Sequence, residues 1–168
     1  KIVFMKLAIV NPSALGDIIH AMVVLQFIKN HYQKKIEIDW IVEESYKELL
    51  EFHPDINKVH VVNINKIKKK KSLYLLLNEL RRVRQFGSYD LVIDMQGLIK
   101  SAVISRLISS QITLGFDKSS IRESIASIFY NKTFNYGYDK NVIERNVALI
   151  DFALGLNVSK QEIENKLP

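Results

Sequence analysis

The stretch that decides the fold is Leu7-Ala8-Ile9-Val10-Asn11-Pro12-Ser13-Ala14-Leu15-Gly16-Asp17-Ile18-Ile19-His20. Its first four residues are apolar and predict a buried strand, and the polar turn behind them leads into a helical pattern that begins at Asp17. In α/β proteins, ligands bind at the carboxyl ends of parallel strands, and the free N–H groups of a helix start hold anions there. Asp17 is therefore a candidate for chemistry, and a simple helix cap is the alternative interpretation.

The same alternation of strand, polar turn and helix continues along the chain. Apolar runs predict strands at Leu7–Val10, Ile36–Val42, Val59–Ile64, Leu91–Met95 and Ile112–Phe116. Helical patterns occupy Asp17–His31, Glu44–Phe52, Ser72–Phe86, Leu98–Ile108, Ile121–Phe129 and Val142–Leu154. This order predicts an α/β fold, with a doubly wound, mostly parallel, Rossmann-like sheet and helices on both faces.

Length and composition set limits on the class of protein. The chain has 168 residues with 48% hydrophobic and 25% charged residues, which is ordinary for one globular domain. It has no cysteine, which excludes disulfides and thiolate metal sites, and it has no apolar run long enough to span a membrane. We expect a domain over residues 1–155, followed by a polar segment, 156–168, that begins a linker toward a further domain.

The formal net charge is +6, and much of the positive charge is concentrated in one segment. We call Lys66, Lys68, Lys69, Lys70 and Lys71 the lysine run; Arg81, Arg82 and Arg84 follow it closely. Such a run is typical of a solvated loop. The alternative is attraction to a polyanion, either an anionic bilayer or a phosphorylated or carboxylated substrate. Nucleic acid is disfavoured as a partner, because no recognition motif or interleaved aromatic residue accompanies the run.

Polar clusters follow two later strands of the predicted sheet. In the stretch Asp94–Ser101, Gly97 allows a turn, while Gln96 and Lys100 offer hydrogen-bond donors for an oxyanion or a sugar hydroxyl. Arg122 and Arg145 lie at later loop-to-helix junctions. Each arginine is a candidate fork for a carboxylate, and a surface ion pair is the alternative in both cases.

Several other chemistries lack their motifs. No Gly-x-Gly-x-x-Gly follows a strand, and no glycine-rich loop ends in Lys-Ser or Lys-Thr, which disfavours a nicotinamide dehydrogenase or a P-loop enzyme. The four histidines have neither a paired helical spacing nor cysteine neighbours. We therefore predict no metal site.

Together these clusters resemble glycosyltransferase family 9. The resemblance rests on Ser13–His20, on Asp39-Trp40-Ile41-Val42-Glu43-Glu44, on Asp94–Ser101, on Arg122-Glu123 with Ala126–Asn131, and on Glu144-Arg145. These motifs occur in the family order over nearly the whole chain. One departure is Asn11-Pro12, where similar proteins commonly have a basic residue in the turn.

The resemblance implies a two-domain GT-B enzyme. Such an enzyme transfers heptose from ADP-heptose, which is a substrate and not a cofactor, to a Kdo residue of the lipopolysaccharide inner core, with inversion and without a metal ion. The implied acceptor is Kdo-lipid A at the cytoplasmic surface of the inner membrane of a Gram-negative bacterium. This chain matches the N-terminal, acceptor-binding half, so we expect the 168 residues alone to be inactive.

The resemblance also suggests roles for particular residues. Asp17 matches the general base that activates the acceptor hydroxyl. Family positions that line the acceptor side are occupied by Ser13, Gln96, Lys100, Arg122 and Arg145. The lysine run falls where similar enzymes carry a mobile basic loop.

Two alternatives stay open at this point. One is a different member of family 9 that acts on another core sugar. The other is a non-catalytic basic domain that docks on an anionic membrane through the lysine run and Arg81–Arg84. The docking alternative predicts unaltered function when Asp17 is replaced, whereas the enzyme hypothesis predicts a loss.

Overall fold

A computed structural model of the protein describes residues 4–166 and contains one six-stranded sheet. The strands are β1 (Met5–Val10), β2 (Ile36–Glu43), β3 (Lys58–Val62), β4 (Ser88–Asp94), β5 (Ser109–Phe116) and β6 (Lys132–Phe134). Their order across the sheet is β3-β2-β1-β4-β5-β6, and every neighbouring pair is parallel. This arrangement confirms the predicted parallel, doubly wound α/β fold.

Helices cover both faces of the sheet. They are α1 (Leu15–Met22), α2 (Val24–His31), α3 (Ile64–Lys70), α4 (Leu73–Val83), α5 (Ile99–Leu107), α6 (Val142–Leu154) and α7 (Lys160–Glu164). Two 3₁₀ helices occupy Glu44–Leu49 and Ser124–Phe129. None of the helices within residues 4–166 is both long enough and apolar enough to cross a bilayer.

The alternation of side chains along β1 produces two core clusters, one on each face of the sheet. Leu7 and Ile9 join the cluster that contains the inner sides of α1, α2 and α6. Ala8 and Val10 join the cluster that includes Ile64 of α3 and also residues from α4 and α5. The last four residues of β1, Leu7–Val10, are buried on both faces of the sheet, and this part of the strand is a continuous apolar run.

The lysine run is helical, so the loop predicted for it is wrong. Helix α3 extends from Ile64 to Lys70. The next residue, Lys71, has a left-handed φ of 50° and terminates the helix. Ile64 is buried in the core, and a carboxylate oxygen of Glu43 accepts a hydrogen bond from the N–H of Asn65 at 3.2 Å. This buried anchor and the capped first turn hold the helix despite repulsion among its lysines. The same helix start also ends β3 two residues earlier than predicted.

Other differences from the sequence prediction are local. The helix predicted over Asp17–His31 is two helices, α1 and α2, which meet at Val23. The helices predicted over Glu44–Phe52 and Ile121–Phe129 are the two short 3₁₀ helices. Strand β6 has three residues, too few for an apolar pattern to reveal it.

Residues after α6 pack against the domain. Leu156 is buried, and Val158 and Ile163 contact the core cluster beneath α1, α2 and α6. The carboxylate of Glu162 lies 2.5 Å from the imidazole Nε2 of His31 on α2. The predicted boundary at residue 155 stays a prediction, and the segment that follows it has tertiary contacts in this structure.

A buried carboxylate fixes the loop after β4. Asp94 is fully buried, and its Oδ1 accepts hydrogen bonds from the N–H groups of Gln96 and Gly97 at 2.9 and 3.1 Å. Its Oδ2 accepts from the hydroxyls of Ser101, at 3.0 Å, and Tyr130. Burial raises the pKa of Asp94 to about 6, against the opposing effect of these donors. The carboxyl group that holds this loop therefore has a pKa close to neutral pH.

The Asp94→Asn variant tests this linkage through its pH dependence. A folded-state pKa above the unfolded value gives Asp94 a contribution to stability that is fully present below about pH 4 and is lost as the pH rises through about 6. A shift of about two units corresponds to roughly 3 kcal/mol. The loss of unfolding free energy in Asp94→Asn should therefore be largest near pH 4 and shrink toward pH 7, as measured by urea unfolding.

A matched control is Glu164→Gln, at an exposed residue. It should leave the unfolding free energy unchanged throughout this pH range. A deficit of Asp94→Asn that grows from pH 4 to pH 7 would contradict the account, because it would mean that the fold favours the charged carboxylate.

Candidate functional site

A cleft of about 430 Å³ lies at the carboxyl ends of the strands. Its lining includes Asp17, Gln96, Gly97, Arg122, Lys140 and Arg145. Strands β1 to β3 proceed toward one edge of the sheet and β4 to β6 toward the other, so the order reverses between β1 and β4. Open α/β sheets bind ligands at this reversal point, and the loops after β1 and β4 both line the cleft.

Asp17 lies in the first turn of α1, exposed and on the wall of the cleft. Its Oδ2 accepts a hydrogen bond of 3.4 Å from the N–H of Ala14, which is long for this kind of contact. The capping role and the catalytic role are therefore compatible in this position. The carboxylate remains accessible to a hydroxyl group that enters the cleft.

Two buried amide oxygens at the cleft are unpaired within the part of the chain that the structure describes. They are Oδ1 of Asn11 and Oε1 of Gln96. The Nδ2 of Asn11 donates to the backbone carbonyl of Asp17 at 3.4 Å, which directs its oxygen elsewhere. Buried acceptors normally have a partner, and both oxygens lie beneath the cleft surface with almost no accessible area, so a ligand's hydroxyl group would reach either one only after its amide turned toward the cleft.

Three predicted site residues meet at the loop after β1. The Nζ of Lys100 donates to Ser13 Oγ at 2.6 Å, and the Nε2 of Gln96 donates to the Ser13 carbonyl. Burial lowers the pKa of the Lys100 ammonium, while the nearby Glu43 carboxylate opposes this effect. Ser13 and Lys100 lie beside the cleft, where they hold the loop that leads to Asp17.

Glu43, at the end of β2, connects this loop to α3. Its backbone N–H donates to the carbonyl of Pro12 at 2.9 Å, and its carboxylate accepts from the N–H of Asn65 at 3.2 Å. Lys100 also reaches the Asn65 side chain, with Nζ 3.5 Å from Oδ1. Burial raises the pKa of the Glu43 carboxyl above its usual range.

The two arginines have different surroundings. Arg122 is exposed and lines the cleft. Arg145 also lines the cleft but is mostly buried, and its Nη1 donates to the carbonyls of Tyr136 and Gly137 at 2.9 and 2.8 Å. Its Nη2 donates to the carbonyl of Ser120 at 2.6 Å. Arg145 therefore fixes two loops of the cleft wall, and Arg122 is the freer of the two cations.

The remaining predicted residues lie outside the cleft. All five members of the lysine run are exposed on α3 or at its end. Across residues 4–166, no three histidine, aspartate or glutamate side chains converge in a way that could hold a metal ion.

Sequence reasoning missed two residues of this site, Asn11 and Glu43. Asn11 stood in the sequence only as a departure from the family pattern, and Glu43 only as part of a motif. Their positions in the sequence could have indicated both residues, because each one directly follows or ends a predicted buried strand.

Comparison with known proteins identifies the family of the chain. The model of glycosyltransferase family 9 (heptosyltransferase) matches residues 77–168, more than half of the chain. A lipopolysaccharide heptosyltransferase 1 from Campylobacter coli is 45% identical over 150 residues, which are 89% of this chain and 42% of the relative. One from Pseudomonas aeruginosa is 37% identical over 133 residues, 77% of this chain and 37% of the relative.

A solved structure has the same fold. It is the Escherichia coli heptosyltransferase WaaC with ADP-2-deoxy-2-fluoro heptose, which matches with a TM-score of 0.83 and 30% identity. The match covers 93% of this chain and 50% of that one, so the chain spans half or less of the length of these relatives. On the sequence model, the relatives and the fold, the chain belongs to glycosyltransferase family 9.

Proposed function

We propose that this chain forms the acceptor-binding side of a lipopolysaccharide heptosyltransferase of type 1. The observation that carries the proposal is the cleft at the reversal point of the sheet. There the accessible carboxylate of Asp17 shares the wall with the free cation of Arg122 and with the exposed Lys140. The similarity to type 1 heptosyltransferases of two bacteria supports the same assignment.

In the proposed reaction, Asp17 is the general base. Its carboxylate takes the proton of an acceptor hydroxyl as that oxygen attacks the anomeric carbon of the heptose. The bond from the anomeric carbon to the diphosphate breaks, ADP leaves, and attack from the opposite face inverts the configuration. The N–H groups and dipole of α1 stabilise the negative charge at its start. The proposal includes neither a metal ion nor a cofactor, because the donor ADP-heptose is a substrate.

The acceptor side of the cleft suits an anionic sugar. The exposed Asp17 carboxylate accepts a hydrogen bond from a sugar hydroxyl, and Arg122 offers two parallel donors to a carboxylate such as that of Kdo. Lys140 adds a second exposed cation to the lining. Lys100 acts on the acceptor indirectly, since it fixes Ser13 and the loop that carries Asp17.

The proposed acceptor, Kdo-lipid A, is anchored in a membrane. The enzyme would therefore work at the cytoplasmic surface of the inner membrane of a Gram-negative bacterium. The relatives are lipopolysaccharide heptosyltransferases, which supports a lipopolysaccharide acceptor.

Asp17→Asn separates the catalytic role from the capping role. The substitution preserves shape but removes basicity, so kcat of the full-length enzyme with ADP-heptose and Kdo-lipid A should fall by roughly 10²–10⁴-fold. The acceptor KM and the melting temperature should change little.

If Asp17 only caps α1, the reverse pattern appears. Asp17→Ala would then lower the unfolding free energy by about 0.5–2 kcal/mol and leave turnover per folded molecule intact. A near-wild-type kcat in Asp17→Asn would exclude Asp17 as the base and favour the non-catalytic docking alternative.

The two arginines should respond differently to replacement by lysine, which keeps the charge but loses the planar fork. Arg122→Lys should raise the acceptor KM several-fold without changing the melting temperature, because Arg122 is exposed in the cleft. Arg145→Lys should lower the unfolding free energy by roughly 1–3 kcal/mol, because its backbone carbonyl partners lose donors. Steady-state kinetics and urea unfolding on the same two variants measure both effects. An unchanged acceptor KM in Arg122→Lys would remove this residue from the acceptor site.

A further inference from the structure

The outer face of α3 and α4 is strongly positive, and the proposed reaction gives this charge no role. Between residues 63 and 88 the chain has eight basic residues and one acidic residue, Glu79. Glu79 is buried, and it is hydrogen-bonded to Arg82 and to the N–H of Asn63. The basic residues are Lys66, Lys68, Lys69, Lys70, Lys71, Arg81, Arg82 and Arg84. The solvent side of this unit is therefore positive without an acidic neighbour of its own.

Three large apolar side chains are exposed directly beside the lysine run. Leu73 is 70% exposed, Tyr74 is 73% exposed and Leu77 is 46% exposed. Their helical spacing places them on one side of α4 together with Arg81, whereas Val83 is buried. These residues are too exposed to serve as core, and they form one apolar patch bordered by cations.

This combination fits the surface of an anionic bilayer better than other polyanions. An interfacial helix has lysine and arginine for the headgroups and leucine or aromatic residues that enter the boundary with the acyl chains. Tyrosine suits that boundary because its ring is apolar and its hydroxyl is polar. A nucleic acid would pair with the cations but would leave Leu73 and Leu77 exposed to water.

We propose that this docking face, formed by the lysine run with Leu73, Tyr74 and Leu77, binds an anionic phospholipid bilayer. The apolar side chains enter the headgroup region and the lysines pair with lipid phosphates. Because Glu43 and Lys100 hold the Asn65 end of α3 against the loop before Asp17, docking would keep the cleft close to the membrane. The inference adds a surface and a binding mode to the proposed peripheral location, and lipid binding is measurable without donor or acceptor.

Vesicle sedimentation of the 168-residue chain tests the proposal. The wild type should bind vesicles of phosphatidylethanolamine and phosphatidylglycerol and should release them at high salt, and it should not bind phosphatidylcholine vesicles. Replacing the lysine run with glutamine should abolish binding, since each lysine near the surface contributes roughly five-fold in affinity. The triple change Leu73→Ser, Tyr74→Ser, Leu77→Ser should weaken binding by tenfold or more.

A matched control is Phe52→Ser. Phe52 is 87% exposed and lies two residues after Leu50. Leu50 packs in the core cluster on the face of the sheet opposite to α3 and α4. This variant should bind vesicles like the wild type. Circular dichroism melting of every variant checks that a loss of binding does not come from unfolding.

The Tyr74→Trp variant separately measures whether α4 enters the bilayer. The native Trp40 is fully buried, so vesicles of brominated lipid should quench only the new indole if α4 enters the bilayer. Absence of quenching, equal binding by the triple variant, or tighter binding to duplex DNA than to anionic vesicles would overturn the proposal. In the full-length enzyme, the triple variant should keep its turnover on a soluble, lipid-free acceptor, which separates failure of docking from failure of the transfer chemistry.

Discussion

The buried carboxylate of Asp94 is the contact on which the cleft depends. This carboxylate fixes the loop after β4, because it accepts hydrogen bonds from two backbone N–H groups of that loop and from two hydroxyls. One of these hydroxyls belongs to Tyr130, whose ring lies so close to Gly115 of β5 that a Cβ there would be 2.3 Å away. Gly97, with φ of 70°, turns the chain so that Gln96 reaches the loop after β1. A buried network of this kind is rigid when every member is paired.

Three residues hold the loop after β1, while the carboxylate of Asp17, in the helix that follows this loop, stays accessible. Gln96 bonds the backbone of Ser13, Lys100 bonds its hydroxyl, and Glu43 bonds the preceding residue. Catalytic groups are most effective when rigid neighbours fix their position and leave the reacting atom free. Lys100 and Glu43 also hold Asn65 at the start of α3, so two residues connect the loop beside the cleft to the docking face. A membrane-bound acceptor and the proposed base, Asp17, would then be positioned by one set of contacts.

The layout of the fold follows from local patterns, which explains why much of it was predictable from the sequence. Apolar runs fix the central strands because those strands are buried on both faces. Helix α6 has the predicted bounds Val142–Leu154 because Asn141 caps its start and Gly155, with a left-handed φ, ends it. The meeting of Asp17 and Gln96 follows from parallel strands ending at one edge. Other features needed the tertiary structure. The lysine run is a helix because Ile64 is buried and Glu43 caps it, and Arg145 reaches backbone carbonyls of distant loops.

The central claim is that an acceptor sugar binds in the cleft between β1 and β4, beside Asp17. The most direct measurement is an NMR titration of the isotope-labelled chain with a soluble Kdo-containing sugar, following the backbone amides. The account predicts saturable shifts at Asp17, Gln96 and Gly97, with the amides of α7 unchanged. Saturable shifts confined to residues away from this cleft, or no shift at a concentration that supports turnover by the full-length enzyme, would contradict it.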